Sequence, residues 1–280
     1  MPKSFGEINF GSAQLFHKRR TKRLVQLADQ MALRPGGTLP QKLRSPADLK
    51  AFYRLMDCPH VTHQAILAAH RDATFDQINT IDGPVLILHD TTELEYTKRN
   101  SLKAIGPIGN GNRRGYITHN SLAIDPESRN ILGLCNQLLH CRAKVKKSET
   151  TAQKRKRASR ESRLWVRGTE SLPPSWQLVD VCDRGADTTE FLRHECDSGR
   201  RFVIRSSQDR CILVGHGDRD ECESAKLRAY ARTIDQAGSW SLQVSSKSEL
   251  RSPRGKGKKK LVKRVKREAN MAVSFAPVLS

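Results

Sequence analysis

Acid is what this chain has least of relative to its counterpart: 29 Asp and Glu stand against 50 Lys and Arg in 280 residues, for a formal net charge of +21. A surface with that bias draws polyanions through counterion release, which puts nucleic acid first among partners and an anionic membrane surface second. Aromatic residues are few, at 5%, and 37% hydrophobic content makes a lean core. The length still suffices for one large domain or two modest ones. No apolar run reaches membrane-spanning length, and Met1-Pro2-Lys3-Ser4 opens without an apolar signal core, so the chain is expected in the cytoplasm.

A disulfide framework is also missing. Cys58, Cys135, Cys141, Cys182, Cys196, Cys211 and Cys222 are odd in number and form no Cys-x-x-Cys, so they read as reduced, mostly as small core residues. Cys211, His216 and Cys222 are spaced loosely for a structural zinc.

What is present centres on two acidic strands. Val85–Thr92 is a branched aliphatic run after Asp82-Gly83-Pro84, and it reads as a buried strand delivering Asp90 at its carboxyl end. Leu178–Asp187 repeats the design, with Asp183 at the strand exit and a glycine turn into a helix at Thr188–His194. Two acids on adjacent strand ends can hold a divalent metal through oxygen ligands, and such a metal polarises a phosphate. The bland alternative is that each aspartate only caps the turn that follows.

Around these strands the pattern changes several times. Residues 5–75 read as a separable helical module with helices at Ala13–Leu33, Ala47–Met56 and Gln64–Arg71, the last two capped by Ser45 and Thr62. Lys18, Arg19, Arg20, Lys22 and Arg23 crowd one section of it and suit DNA phosphates; a solvated basic face packed on the main domain is the alternative. Glu93–Ile108 reads as irregular, and the Gly106–Gly115 segment, with Arg113 and Arg114, fails as a nucleotide-binding loop because it lacks the Lys-Ser ending. Tyr116–Ile124 and Ile131–His140 form a hairpin, Arg142–Trp165 a charged helix capped by Ser148, and Trp176–Asp183 the second acidic strand. Short strands follow at Phe202–Ile204, Ile212–Val214, Trp240–Val244 and Met271–Val278, with a basic, solvated loop at 247–267 that includes Lys256, Lys258, Lys259 and Lys260.

Taken together these residues resemble the bacterial cut-and-paste DDE transposases of the transposon-five type, encoded by insertion sequences. The resemblance rests on Asp90-Thr91-Thr92 with Tyr96, on Val181-Cys182-Asp183-Arg184-Gly185-Ala186-Asp187, on Glu161-Ser162 with Trp165, on Arg201–Arg205, and on Arg20–Ala28 leading to Ala51–Arg54. It implies an α/β fold with an RNase H-like core at 80–200, a helical DNA-binding domain at 1–75, and a β-rich insertion at 201–280. It further implies Asp90 and Asp183 as catalytic ligands of two Mg2+ ions, Arg184 and Arg205 as phosphate contacts, double-stranded DNA of transposon ends and targets as partner, and protomers that pair two ends. In that family a third acid lies in a later helix bearing Tyr, Arg, Glu and Lys. No such segment is present before Ser280, so the chain is expected to end inside the insertion and to bind DNA with weak or absent strand cutting. Two other readings remain: a non-catalytic DNA-binding regulator that pairs with an intact transposase, and a basic RNA-binding protein, which leaves the acidic strands unexplained.

Overall fold

The computed structural model describes residues 2–43, 45–99, 101–109, 112–143, 148–215, 222–251 and 260–276. The chain divides into two units, Met1–Ser207 and Gln208–Ser280.

The first unit begins with helices whose starts are written in side chains. Ser4 and Glu7 form a reciprocal capping box that opens α1 (Phe5–Phe10), a helix the hydrophobic spacing did not suggest. The helix expected from Ala13 starts only at Lys18, because His17 accepts the Arg19 N–H and caps α2 (Lys18–Ala32). Residues 13–17 cross between the two helices in non-helical form, yet Leu15 is fully buried. A short α3 (Leu39–Lys42) follows, then α4 (Pro46–Met56) with Ser45 as cap and proline in its first turn. Thr62 caps α5 (His63–Ile78), which runs two turns beyond the expected Arg71.

That extension links two cores. Ala65, Ile66 and Ala69 of α5 pack with Leu15, Leu24, Leu27, Leu43 and Leu55 in the helical cluster. Phe75 and Ile78 of the same helix pack with Val85, Ile87, Ala123 and Leu178 of the sheet.

The sheet comprises β1 (Val85–Glu95), β2 (Gly106–Pro107), β3 (Arg114–Ile124), β4 (Ile131–His140), β5 (Leu178–Cys182) and β6 (Arg201–Ile204). Its order is β4-β3-β1-β5-β6, with the two-residue β2 pairing the start of β3. β1–β3 and β3–β4 pair antiparallel, whereas β1–β5 and β5–β6 are parallel. The parallel steps are made by crossovers that carry helices: α6 (Thr151–Lys156) and α7 (Arg163–Glu170) before β5, and α8 (Thr189–Asp197) before β6.

Two expectations are corrected here. The region 142–165 is not one helix: a Thr150–Gln153 capping box starts α6 two residues after Ser148, and the chain leaves helical geometry at Arg157. Lys154, Lys156, Arg157 and Arg160 would place like charges three and four residues apart on a continuous helix, which disfavours it. β1 does not end near Thr92, since Thr91–Glu95 pair with Gly115–His119 of β3 and extend the strand through the region expected to be irregular.

The two faces of the sheet differ. Val85, Ile87 and His89 point with Ile117, His119, Leu178 and Cys182 into a buried layer covered by α5, α7 and α8, where Leu164, Trp165 and Phe191 close the packing. Leu86, Leu88, Leu122 and Val181 occupy the opposite face and are only half-buried, while Val203 beside them is 60% exposed.

The second unit consists of antiparallel ribbons: β7 (Cys211–Val214) with β8 (Glu223–Lys226), β9 (Gly238–Val244) with β12 (Arg267–Val273), and β10 (Lys247–Arg251) with β11 (Lys260–Arg264). A short α9 (Leu227–Tyr230) follows β8. The 247–267 segment is therefore not a loop throughout. Its ends carry enough alternation to pair, with Leu250 opposite Leu261. The last strand starts at Arg267 rather than Met271.

Candidate functional site

Asp90 is the sixth residue of an eleven-residue strand, not its last. The expectation of a strand exit holds in a narrower sense, because the parallel ladder between β1 and β5 stops one residue before it, at His89 opposite Cys182. Continuing that register by one step puts Asp183 opposite Asp90, on the same face. The β5–β6 ladder, whose last pair is Cys182 and Ile204, likewise brings Arg205 opposite Asp183, and the Arg205 N–H donates to the Cys182 carbonyl. On the other side Asp90 pairs with Asn120, and Asn120 with Gln137, whose amide donates to the Asn120 side-chain oxygen at 2.8 Å. A polar row thus runs Gln137, Asn120, Asp90, Asp183, Arg205 across the less covered face.

Neighbouring strands lie about 4.8 Å apart, so the two carboxylates share one small area of surface. Both are exposed. Asp183 also performs the bland role: one of its oxygens accepts the Gly185 N–H at 2.7 Å and caps a 3-10 turn at Arg184–Ala186. Its other oxygen accepts no hydrogen bond from the described residues. A Cβ at Gly185 would stand 2.9 Å from that capping oxygen and 2.9 Å from the Trp165 ring, so glycine is required for this approach.

Two carboxylates in register are a donor set for a hard cation with oxygen ligands, and they fit Mg2+ with open positions remaining. Other acids near them in sequence are engaged. Glu190 pairs with Arg160 and Arg163, and Asp187 accepts from the Ser207 N–H at 2.6 Å. Among the described residues no three His, Cys, Asp or Glu side chains converge as a metal cluster.

Directly behind the row, on the covered face, lies a buried polar network that the sequence did not reveal. His89 Nε2 and Asp180 Oδ1 are 2.7 Å apart with neither side chain exposed, and His89 Nδ1 meets the Ser121 hydroxyl at 3.0 Å. Arg200 Nε donates to the other Asp180 oxygen at 2.7 Å. Burial alone would raise the Asp180 pKa, but the hydrogen bonds from His89 and Arg200 outweigh it and hold the carboxyl below its ordinary value. Glu195 is fully buried 3.8 Å from Arg200, and burial together with the Asp180 charge pushes its pKa up to about 7. His119, stacked at 5.8 Å on His89 and edge-on to Trp165, is pushed down to about 3 by burial and by His89, so it stays neutral.

A second candidate surface is basic. Arg19, Arg20 and Arg23 of α2 face Lys50 and Arg54 of α4 across a concavity of about 450 Å³. Lys18 and Lys22 lie instead around a separate concavity with His17 and residues of α1 and its following turn. Cations crowded at the amino end of a helix oppose its dipole, and α2 has no acid in its first turn to offset them. Among the described residues, Arg23 is the one of these cations with an ion-pair acid, Asp48 at 3.4 Å. Lys50 and Arg54 were missed by sequence reasoning, although their spacing of four on a capped helix places them on one face.

The remaining expected contacts are dispersed. Arg113 sits between Glu93 and Glu95 at 3.5 Å from each, and the Arg114 backbone N–H donates to the Thr97 hydroxyl. Arg184 is exposed in the turn after Asp183. Lys256, Lys258 and Lys259 lie outside the described residues, as does His216, and Lys260 opens β11.

Residues 2–61, which span α1 through α4 and include the α2–α4 concavity, match the family model described as transposase DNA-binding. The match supports a transposase with DNA as its partner. Among the described residues no helix is long and apolar enough to cross a membrane.

Proposed function

We propose that this chain is an insertion-sequence transposase of the DDE type, similar to the transposon-five enzymes, that binds transposon-end DNA and acts on it by metal-dependent phosphoryl transfer. In this reading residues 1–75 grip the DNA, residues 80–200 form an RNase H-like catalytic core, and residues 201–280 belong to a β-rich insertion. The observation that carries it is that the β1–β5 ladder, ending at His89 and Cys182, leads directly into Asp90 and Asp183 in a sheet ordered β4-β3-β1-β5-β6, in the same chain as a transposase DNA-binding match.

Each residue has a physical task. The α2–α4 cations hold backbone phosphates and set the register of the duplex without reading bases. Asp90 and Asp183 would hold Mg2+, which supplies Lewis-acid stabilisation of charge on a phosphodiester. Arg205 presents a guanidinium at the end of the row, suited to a phosphate oxygen. Asn120 and Gln137 hydrogen-bond to each other and fix the opposite end. The buried His89, Asp180 and Arg200 lock β1, β5 and the start of β6 together, which keeps the two carboxylates at one level.

A second reading, a DNA-binding regulator without strand cutting, is favoured by the engagement of Glu190 and Asp187 in other contacts, which leaves two acids in the row. Duplexes from both flanks of the coding sequence, incubated with the 280-residue chain and Mg2+, separate the two readings. Retention of those duplexes with weak nicking that disappears in Asp90→Asn supports the transposase, and retention with no nicking in any divalent cation supports the regulator.

A further inference from the structure

At the carboxyl end of β4 lies a recess of about 370 Å³ to which neither the family match nor the carboxylate row gives a role. His140 lines it from the end of the strand, Arg142 follows the strand, Lys154 comes from α6, and Arg157, Arg160 and Glu161 come from the connection into α7. Four cations therefore face one carboxylate. Acids fix the guanidiniums from outside or from the rim: Arg142 donates to Glu161 at 3.0 and 2.6 Å, Arg157 pairs with Glu149 at 3.3 Å, and Arg160 pairs with Glu190.

These pairs leave a residue of unmet hydrogen bonding. His140 Nε2, Arg157 Nε and Arg160 Nε are all buried and without a hydrogen-bond partner among the described residues, and all three side chains line this recess. His140 is only 7% exposed. An unmatched buried donor costs about 1–3 kcal/mol, so three around one cavity indicate an acceptor with several oxygens. The volume equals roughly a dozen waters at about 30 Å³ each, enough for a tetrahedral oxyanion with some of its hydration.

We propose that the recess binds a phosphate group, and that in the working protein this is a backbone phosphodiester of DNA. β4 runs in the same direction as β1, so His140 and the two aspartates lie toward the carboxyl ends of their strands. His140 is three residues beyond Gln137, so its backbone lies two strands and about 14 Å from that of Asp90, but its register partner Ile117 puts its side chain on the covered face, opposite the polar row. A duplex that wraps the carboxyl ends of these strands would meet the recess from one face and the carboxylates from the other, with the recess acting as a fixed anchor. His140 has its pKa lowered by burial and by Arg167 and Arg142, against the raising effect of Glu161; neutral, it offers a hydrogen bond while the arginines supply charge.

The inference rests on the proposed function only for DNA as the source of the phosphate. Two measurements on the full chain test it. In the first, inorganic phosphate is titrated while the His140 imidazole signal is followed by NMR; a saturable shift is expected, and it should vanish in Lys154→Ala/Arg157→Ala. In the second, affinity for duplex DNA is measured against salt. Each lost phosphate contact lowers the slope by about 0.9, so the double variant should lose close to two. Lys154 is exposed, and Arg157→Lys retains the charge, so an unchanged melting temperature in either single variant separates lost binding from lost folding. A phosphate response with an unaltered DNA slope would assign the recess to free phosphate rather than DNA. No response in either measurement would overturn the proposal, and DNA binding through the α2–α4 surface would stand regardless.

Discussion

His89 and Asp180 meet at 2.7 Å on the covered side of the sheet, one strand position before Asp90 and three before Asp183. The pair is fully buried and completed by Arg200 and Ser121. Charges taken out of water recover their desolvation cost only when paired and hydrogen-bonded, and here both Asp180 oxygens are satisfied. The contact therefore couples the β1 and β5 levels that carry the two exposed carboxylates.

Removing one partner leaves the others stranded. Asp180→Ala is expected to destabilise the first unit by about 3–5 kcal/mol, the usual cost of an uncompensated buried charge. Denaturant unfolding followed by Trp165 fluorescence would read this. A loss under about 1 kcal/mol would mean that water replaces the pair.

Glu195 gives stability a dependence on pH of definite sign. Its folded pKa of about 7 stands above the ordinary carboxyl value, so between about pH 4.5 and 7 the folded chain holds more protons than the unfolded chain. Stability from this group is therefore present at low pH and lost as pH rises toward 7, by on the order of 3 kcal/mol. Asp180, held low, acts in the opposite sense, and its contribution fades only in acid below its ordinary pKa. Glu195→Gln should accordingly gain stability over the parent between pH 5 and pH 7.5. A variant-minus-parent difference that stays flat over that window would show that Glu195 is ionised throughout.

The α2–α4 concavity predicts where DNA affinity resides. Lys50→Glu with Arg54→Glu should reduce duplex affinity more than tenfold at moderate salt and flatten the salt dependence, while Lys18→Glu alone should act more weakly from its separate face. Fluorescence anisotropy over a salt series measures both. Equal effects from the two faces would spread the interface around α2.

Local chemistry made much of this fold legible. The Ser45 and Thr62 caps, the 125–130 turn between β3 and β4, and the aspartate at the end of β5 follow from side chains that act on near neighbours. The sites of difference depend on distant partners. β1 extends to Glu95 because β3 is there to receive it, the basic 247–267 ends pair with each other, and the helix from 142 divides where its cations would repel. The site divides the same way. Asp90 and Asp183 stand out as acids beside apolar runs, but Arg200 and Glu195 carry no local mark of burial, and His140 becomes a candidate ligand only once Arg157 and Arg160 are folded against it.

The most direct test of the central claim is Mn2+ binding to the full chain, followed by electron paramagnetic resonance, in the parent and in Asp90→Asn/Asp183→Asn. Asparagine keeps shape and removes charge, so duplex affinity should remain while bound Mn2+ falls at least tenfold. Unchanged Mn2+ binding in the double variant would contradict a metal site at this row, and with it the assignment of Asp90 and Asp183 to phosphoryl transfer.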